Sequence, residues 1–551
     1  MPKPSRLVLS CLLLGSALAT AAPRVGHRPK LLLVLNVDQF SSELFQRYCR
    51  DLPGGLGLLQ KRGVVFTEAY HDHAFTETGP GHATLLSGRF PGHTGIVENN
   101  WYDRTLGRSV YCVEDEKVHP IGRPEKYGAS PSRFLGTSLG DWLQAQAKGS
   151  RTFSLSGKDR GAVLLSGRKP NGVFWFEGSA GFATSTAYAE KQPRWLSTFN
   201  EGLQQRFLLN EWTWTSLGPW IGAARTGVWA LPNGVVVRNG LPRVIQGVGM
   251  PLDDGFAQRF RCSPFFDQVT LEAARVLVEQ ERVGRGPGTD LFTLSLSATD
   301  YIGHSYGTGS VEMWDQIHRL DLELGNFLAW LRQRVPDTWV VLSSDHGGMD
   351  LPEALKDDGM PAERLPSPKA WYLKLNLALR ERLKVEVDPV RVSSLPTQIY
   401  LDDAAIRTAG LERGKVLEAI QAQLKSQPEV AGSVTYETME NFQEPELGNP
   451  RESTLMARFK HSFTPGRSSD VMVAFKPLTT FHDPVWVANH GSPWDYDRRV
   501  PIVFMGPWRP KQITLPVRTV DIAPTLAREL GITPAEKLDG KVLKLDESGK
   551  K

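Results

Sequence analysis

The sequence predicts an α/β fold: a mostly parallel central sheet flanked by helices, with cap or lid insertions. Three observations predict it. Apolar runs of strand length, LLLVLNV, LFTLSLSAT, WVVLSS and VPIVFMG, are continuous and rich in branched residues, as in strands buried on both faces. An amphipathic helical pattern over residues 311–334 separates two of them. Acidic and histidine residues stand where three of the runs end, and open α/β sheets form ligand crevices outside the carboxyl ends of their strands.

The elements follow in order. Residues 1–22 read as an export signal: Lys3 and Arg6, the apolar LVLSCLLLGSALA, then small residues through Ala22. That run is too short to cross a bilayer, so a periplasmic or secreted protein without a membrane partner is expected. Cys11 falls in the signal, and Cys49, Cys112 and Cys262 allow at most one bridge and no disulfide framework. Residues 30–38 are the first core strand. Thr78-Gly79-Pro80-Gly81-His82 opens a helix, with Thr78 as N-cap and proline in the first turn. TFSLS and GVFWFEG, within 152–178, read as strands. The segment 185–290 is rich in tryptophan (Trp195, Trp212, Trp214, Trp220, Trp229), lacks candidate ligands and reads as a cap insertion.

The helix over 311–334 carries Ile317, Leu320, Leu324, Phe327, Leu328 and Leu331 on one face. A second ligand-free segment, 352–480, holds a helix near 414–426 and the strand DVMVAF, as in a small α+β subdomain. The core resumes at His490 with VPIVFMG and a final helix, VDIAPTLAREL. At 551 residues the chain is long enough for several domains, but ligands spread from position 38 to 490 argue for one catalytic domain over 23–551. A net charge of +4, with basic residues dispersed, gives no basis for nucleic acid as a stable partner.

Six residues carry the metal argument: Asp38, Asp300, His304, Asp345, His346 and His490. Asp300 and His304 are spaced i, i+4 and share a face if the turn after their strand is helical. Asp345 and His346 would diverge on a regular strand, and Gly347-Gly348 supplies the break that lets both turn inward. Together they suffice for two divalent ions, and mixed Asp/His ligation suits zinc over magnesium or calcium. Thr78 is the candidate nucleophile, because a hydroxyl at a helix N-terminus lies beside free N–H groups that favour a phosphoryl anion.

TETGPGHATLLSGRFPGHTGIVENNWYD, SLSGKDRGAV, SATDYIGHSYG, SSDHGG and NHGSPWDYDRRVPIVFMG resemble, in this order, the alkaline phosphatase superfamily. The closest likeness is to its PafA-type monoesterases with a threonine nucleophile. The resemblance implies one zinc on Asp300, His304 and His490, and another on Asp38, Asp345, His346 and the Thr78 oxygen. It implies that Asn99, Lys158 and Arg160 contact the phosphoryl oxygens. The implied reaction is hydrolysis of small phosphate monoesters through a phosphothreonine, releasing inorganic phosphate, with the zinc pair clamping the attacking and leaving oxygens.

The nearest alternative is a phosphodiesterase or nucleotide pyrophosphatase, which shares Thr78 and the six ligands but is expected to lack the Lys158–Arg160 pair. A sulfatase is disfavoured because Cys262-Ser263-Pro264 continues into Phe265-Phe266, without the C-x-P-x-R signature. A phosphoglycerate mutase would use serine and manganese. A metal-stabilised binding protein without catalysis would be expected to have lost Thr78, Asn99 or a ligand. His71, His73, His93 and His119 are expected at the surface.

Overall fold

The computed structural model describes residues 27–546 except 50, 219–223, 233, 444 and 445, so the export signal, Cys11 and Trp220 lie outside the described residues. Its centre is a ten-stranded sheet. Seven strands form its body: β1 (Leu31–Val37), β2 (Val64–Tyr70), β3 (Arg151–Ser156), β4 (Gly172–Phe176), β5 (Asp290–Leu296), β6 (Thr338–Ser343) and β7 (Arg499–Met505). They lie in the order β2-β7-β6-β1-β5-β3-β4, with Lys511–Ile513 and Val517–Arg518 beside β2 and Phe182–Ala183 beside β4. The run from β6 to β4 is parallel, whereas β7 and Phe182–Ala183 are antiparallel to their neighbours. The four predicted apolar runs are β1, β5, β6 and β7.

Alternation along β1 feeds two cores, since successive side chains on a strand point to opposite faces. Leu31, Leu33, Leu35 and Val37 join the larger core, and Leu32 and Val34 join the other. The larger core takes the apolar side of the long helix α5 (Val311–Arg334), where Ile317, Leu320, Leu324, Phe327, Leu328 and Leu331 are all buried as the periodicity predicts. Ser310 caps it, its side chain accepting from Met313 N. The second core holds Leu85 and Leu86 of helix α1 (Thr78–Ser87) and, from the final helix Ile522–Glu529, Ile522, Ala523 and Leu526.

Between residue 193 and β5 lie the helix Arg194–Leu209, two nested two-stranded antiparallel sheets and the helices Asp254–Arg261 and α3 (Phe265–Gln280). Val269, Leu277 and Val278 of α3 are buried in the larger core. Within 352–480, Gln398–Ile399, Val471–Phe475 and Val430–Thr435 form a three-stranded sheet. With the helices Pro368–Leu383 and Arg413–Ser426 it encloses a separate core containing Trp371, Tyr372, Ile420 and Val473. Cys49, Cys112 and Cys262 are buried and free. His93 is exposed and His119 partly so, but His71 and His73 are fully buried, contrary to expectation. They precede Phe75 and α1 in a segment held between β2 and the crevice; His71 Nε2 lies 2.8 Å from Ser344 O.

One buried carboxylate joins two elements. The helix Gly55–Arg62 begins at Gly54, which has no side chain to cap it, and Asp321 of α5 accepts from Gly54 N at 2.6 Å and Gly57 N at 3.0 Å. The close approach depends on glycine, because a Cβ on Gly55 would meet Leu324 and the Gly325 backbone within 3 Å. Asp321→Ala strands two amide donors, and we expect it to lower stability by about 3 kcal/mol, seen as an earlier urea midpoint with a native-like folded spectrum.

Candidate active site

Strand register brings the predicted residues together. β1 lies between β5 and β6, with Val37 opposite Leu296 and Asn36 opposite Ser343, so three parallel strands end side by side. Asp38 follows β1, and its N–H donates to Leu296 O. Beyond β5, Ser297 leads into helix α4 (Ala298–Tyr306), whose first and last turns carry Asp300 and His304 on one face, as their spacing predicts. Asp345 and His346 lie just past β6, which ends at Ser343, so the break that frees both side chains comes before Asp345 and not at the Gly347-Gly348 pair. His490 comes from the loop before β7, and because β7 runs against β6 that loop reaches the same edge.

The six side chains form two groups, Asp300–His304–His490 and Asp38–Asp345–His346, whose ligand atoms lie within 4.8 Å of one another in each. The His346 and His490 rings stack at 3.7 Å and join the groups. Each histidine has Nδ1 against a backbone carbonyl: His304 against Ala488 O (2.8 Å), His346 against Gly347 O (2.8 Å) and His490 against Thr76 O (2.9 Å). A carbonyl only accepts, so Nδ1 carries the proton and the Nε2 lone pair faces the carboxylates, the tautomer a metal requires. Neither oxygen of Asp38, nor Asp345 Oδ2, receives a well-directed hydrogen bond although all are buried. Buried carboxylate oxygens are costly unless paired or coordinated, and this donor set fits divalent cations.

Charge separates the carboxylates. Burial, then Asp345, pushes the Asp38 carboxyl above its ordinary range, with Lys158 opposing. Burial also works against ionisation of Asp300 and Asp345, but is outweighed at Asp300 by Lys158, His304 and His490 and at Asp345 by His346 and His82, so both are held low.

Thr78 is the first residue of α1 and not its N-cap: Glu77 occupies that position with extended backbone, and its side chain caps nothing. The shift turns the hydroxyl toward the crevice. Thr78 Oγ1 lies 3.4 Å from His346 Nε2, 3.4 Å from Lys158 Nζ and 3.2 Å from Arg160 Nη2. Lys158 and Arg160 flank the start of helix α2 (Asp159–Ser166) beyond β3. Lys158 Nζ also stands 2.7 Å from Asp38 Oδ2 and 2.6 Å from Asp300 Oδ2, touching both acidic groups. Asn99 Oδ1 accepts from Gly79 N at 2.7 Å, which commits its oxygen and leaves Nδ2 to donate. A larger residue at 79 would crowd this contact.

With the geometry in view, comparison with known proteins is decisive. The model of the type I phosphodiesterase / nucleotide pyrophosphatase family matches residues 32–493. The chain belongs to that family. One relative, alkaline phosphatase PhoD of Zymomonas mobilis, is 34% identical over 539 residues, spanning 96% of this chain and 90% of its own. The crystal structure of alkaline phosphatase PafA superposes with a TM-score of 0.81 at 27% identity, covering 94% of this chain and 99% of that one. A structure of PafA altered at a threonine, an asparagine, a lysine and an arginine superposes at 0.79 with 26% identity, covering 92% and 97%. Membership of this family, with its alkaline phosphatase relatives, makes the chain an enzyme that hydrolyses phosphoric esters and gives it the alkaline-phosphatase-like fold.

Sequence reading did not single out three supporting residues. His82, one turn after Thr78, donates from Nδ1 to Thr78 O (2.8 Å) and stands 3.1 Å from Asp345 Oδ2. Tyr111 lies under Arg160, its hydroxyl 3.2 Å from Nη1. Gln39 follows Asp38 in a left-handed conformation, φ 60°, its backbone N–H toward Asp345 Oδ1 (3.3 Å) and its side-chain amide on Asp300 Oδ1 (3.1 Å). Gly303 and Gly348 leave room for that side chain. Only adjacency to Asp38 could have pointed to it. Gln39→Ala is expected to weaken divalent-metal binding about 10-fold, as losing an outer partner of a ligand does, measured by competition with a coloured chelator.

Proposed function

We propose that this chain is an exported, periplasmic or secreted, zinc-dependent phosphate monoesterase that works through a covalent phosphothreonine at Thr78. The supporting observation is the set of contacts at one hydroxyl: Thr78 Oγ1 within 3.4 Å of His346 Nε2, Lys158 Nζ and Arg160 Nη2. The name alkaline phosphatase on its relatives supports the same reading. Small phosphate monoesters are its substrates, and 185–290 and 352–480 are insertions around one catalytic domain.

Asp300, His304 and His490 would hold one zinc ion and Asp38, Asp345, His346 and the Thr78 oxygen the other, supplying Lewis-acid stabilisation to the attacking and leaving oxygens when bound. Thr78 Oγ gives up its proton and forms a bond to phosphorus as the ester oxygen departs with its electron pair, takes up a proton from solvent and leaves as the alcohol. Water then cleaves the phosphorus–Oγ bond, releasing inorganic phosphate and restoring the hydroxyl. Lys158 and Arg160 hold the other phosphoryl oxygens, where charge is concentrated in the transition state. Asn99 donates from Nδ2, oriented by the Gly79 contact. The N-terminus of α1 adds a favourable dipole for the anion.

Two cations beside the hydroxyl favour a dianionic terminal phosphate over a singly charged diester. The second reading, a phosphodiesterase, draws on the family's own description, and it needs an apolar seat for the second ester group where Lys158 and Arg160 now stand. We expect kcat/KM for an aryl phosphate monoester to exceed that for the matching diester by at least about 100-fold, the order set by a misplaced charge clamp. Comparable turnover of the two would favour the diesterase. Thr78→Ala should lose most monoesterase activity while metal analysis still finds two zinc ions per chain, and near-normal turnover in that variant would exclude Thr78 as nucleophile.

A further inference from the structure

A cavity of about 430 Å³ opens beside Lys158 and Arg160, the two cations that reach the Thr78 hydroxyl, and its volume is in the range of small-molecule sites. Lys158 and Arg160 line it, and Tyr301, Tyr111, Tyr127 and Arg261 complete that part of the wall. Its acidic wall residues are already matched. Glu114 pairs with Arg108 and Arg133, Glu177 with Arg123, and Asp159 accepts from the Tyr111 hydroxyl at 2.6 Å. Of the basic residues, Lys158 is paired with Asp38 and Asp300, and the two arginines are not so paired. Among the described residues no carboxylate lies within ion-pair distance of Arg160 or Arg261.

Arg261 ends the helix Asp254–Arg261, and its Nε donates to Ala257 O at 3.2 Å. That bond fixes one edge of the guanidinium, while its terminal amino groups make no hydrogen bond among the described residues. Tyr301, the neighbour of Asp300, has two cations against its ring. Lys158 Nζ lies 5.1 Å from the centre of the Tyr301 ring and Arg261 Cζ 5.6 Å. A second cation therefore shares the ring that the first one touches, in the same cavity, and among the described residues it has no carboxylate partner. A planar fork with free N–H groups is suited to carboxylate or phosphate oxygens.

We propose that Arg261 is a second anion subsite, which selects phosphate monoesters whose leaving group itself carries a carboxylate or a further phosphate. The subsite rests on the monoesterase reading and extends it to substrate class. The terminal phosphoryl group meets Thr78, Lys158 and Arg160, the body of the leaving group lies along Tyr301, and its distal anion meets Arg261.

The test compares 4-carboxyphenyl phosphate with 4-carbamoylphenyl phosphate, which match in shape and differ in the distal charge. The zinc-loaded enzyme should prefer the carboxylate. Arg261→Gln should lower the carboxylate-to-carboxamide ratio of kcat/KM about 10-fold, the loss expected for one charge-assisted hydrogen bond, mainly through KM. Arg261→Lys should recover part of the ratio, and added salt should erode it in the native enzyme. A ratio that stays within about twofold in Arg261→Gln, as for an exposed charge with no partner, overturns the subsite and leaves the monoesterase reading standing. If the native enzyme turns over neither compound, the monoesterase reading and the subsite fail together.

Discussion

Three carboxylates buried in one crevice are the constraint on which the rest of this structure depends. Asp38, Asp300 and Asp345 stand at the ends of three adjacent parallel strands, each buried by the protein around it. Like charges so placed repel and are poorly solvated, so the fold must answer them with positive charge and directed hydrogen bonds. The answer surrounds them: Lys158 between Asp38 and Asp300, three imidazoles with lone pairs turned inward, Gln39 and His82 behind the carboxylates. Binding of divalent ions would complete the neutralisation. The arrangement is costly without cations and favourable with them, and that is a sound basis for holding metal tightly.

The same electrostatics links the centre to its substrate. Lys158 touches both acidic groups and also approaches the Thr78 hydroxyl, so on the proposed reading a phosphoryl group entering there would meet a cation whose position the carboxylates set. Arg160 is steadied from the other side by Tyr111, whose own hydroxyl is committed to Asp159. The two cations proposed to recognise the anion are thus groups that the buried carboxylates and a tyrosine already hold in place.

Much of this was legible in the sequence because it is written in local patterns. Continuous apolar runs are strands covered on both faces, and β1, β5, β6 and β7 were each visible as such. The i, i+4 spacing of Asp300 and His304, and the 3.6-residue repeat of α5, survive into the fold because both are properties of a single helix. What local pattern cannot carry is neighbourhood. The sequence does not say that β7 runs antiparallel, yet that reversal delivers His490 to the crevice. Thr78 reads as a cap because its small polar side chain suits that position, and the extended backbone at Glu77 puts the cap one residue earlier. Gln39 and Tyr111 act through contacts with residues far away in the chain, and their types alone mark nothing. His71 and His73 looked like surface residues because polarity was their only local signal, and burial between β2 and the crevice overrode it.

The reversed strand β7 carries a consequence for synthesis. The loop that supplies His490 is fixed only when the strand following it has inserted beside β6, and that strand is the last long one of the sheet. A polypeptide still emerging from the ribosome would carry Asp300 and His304 without their third companion. Contacts between such distant parts of a chain form late. The crevice is thereby completed only when nearly the entire polypeptide is available to fold, and a partial chain lacks its full set of acidic and histidine groups.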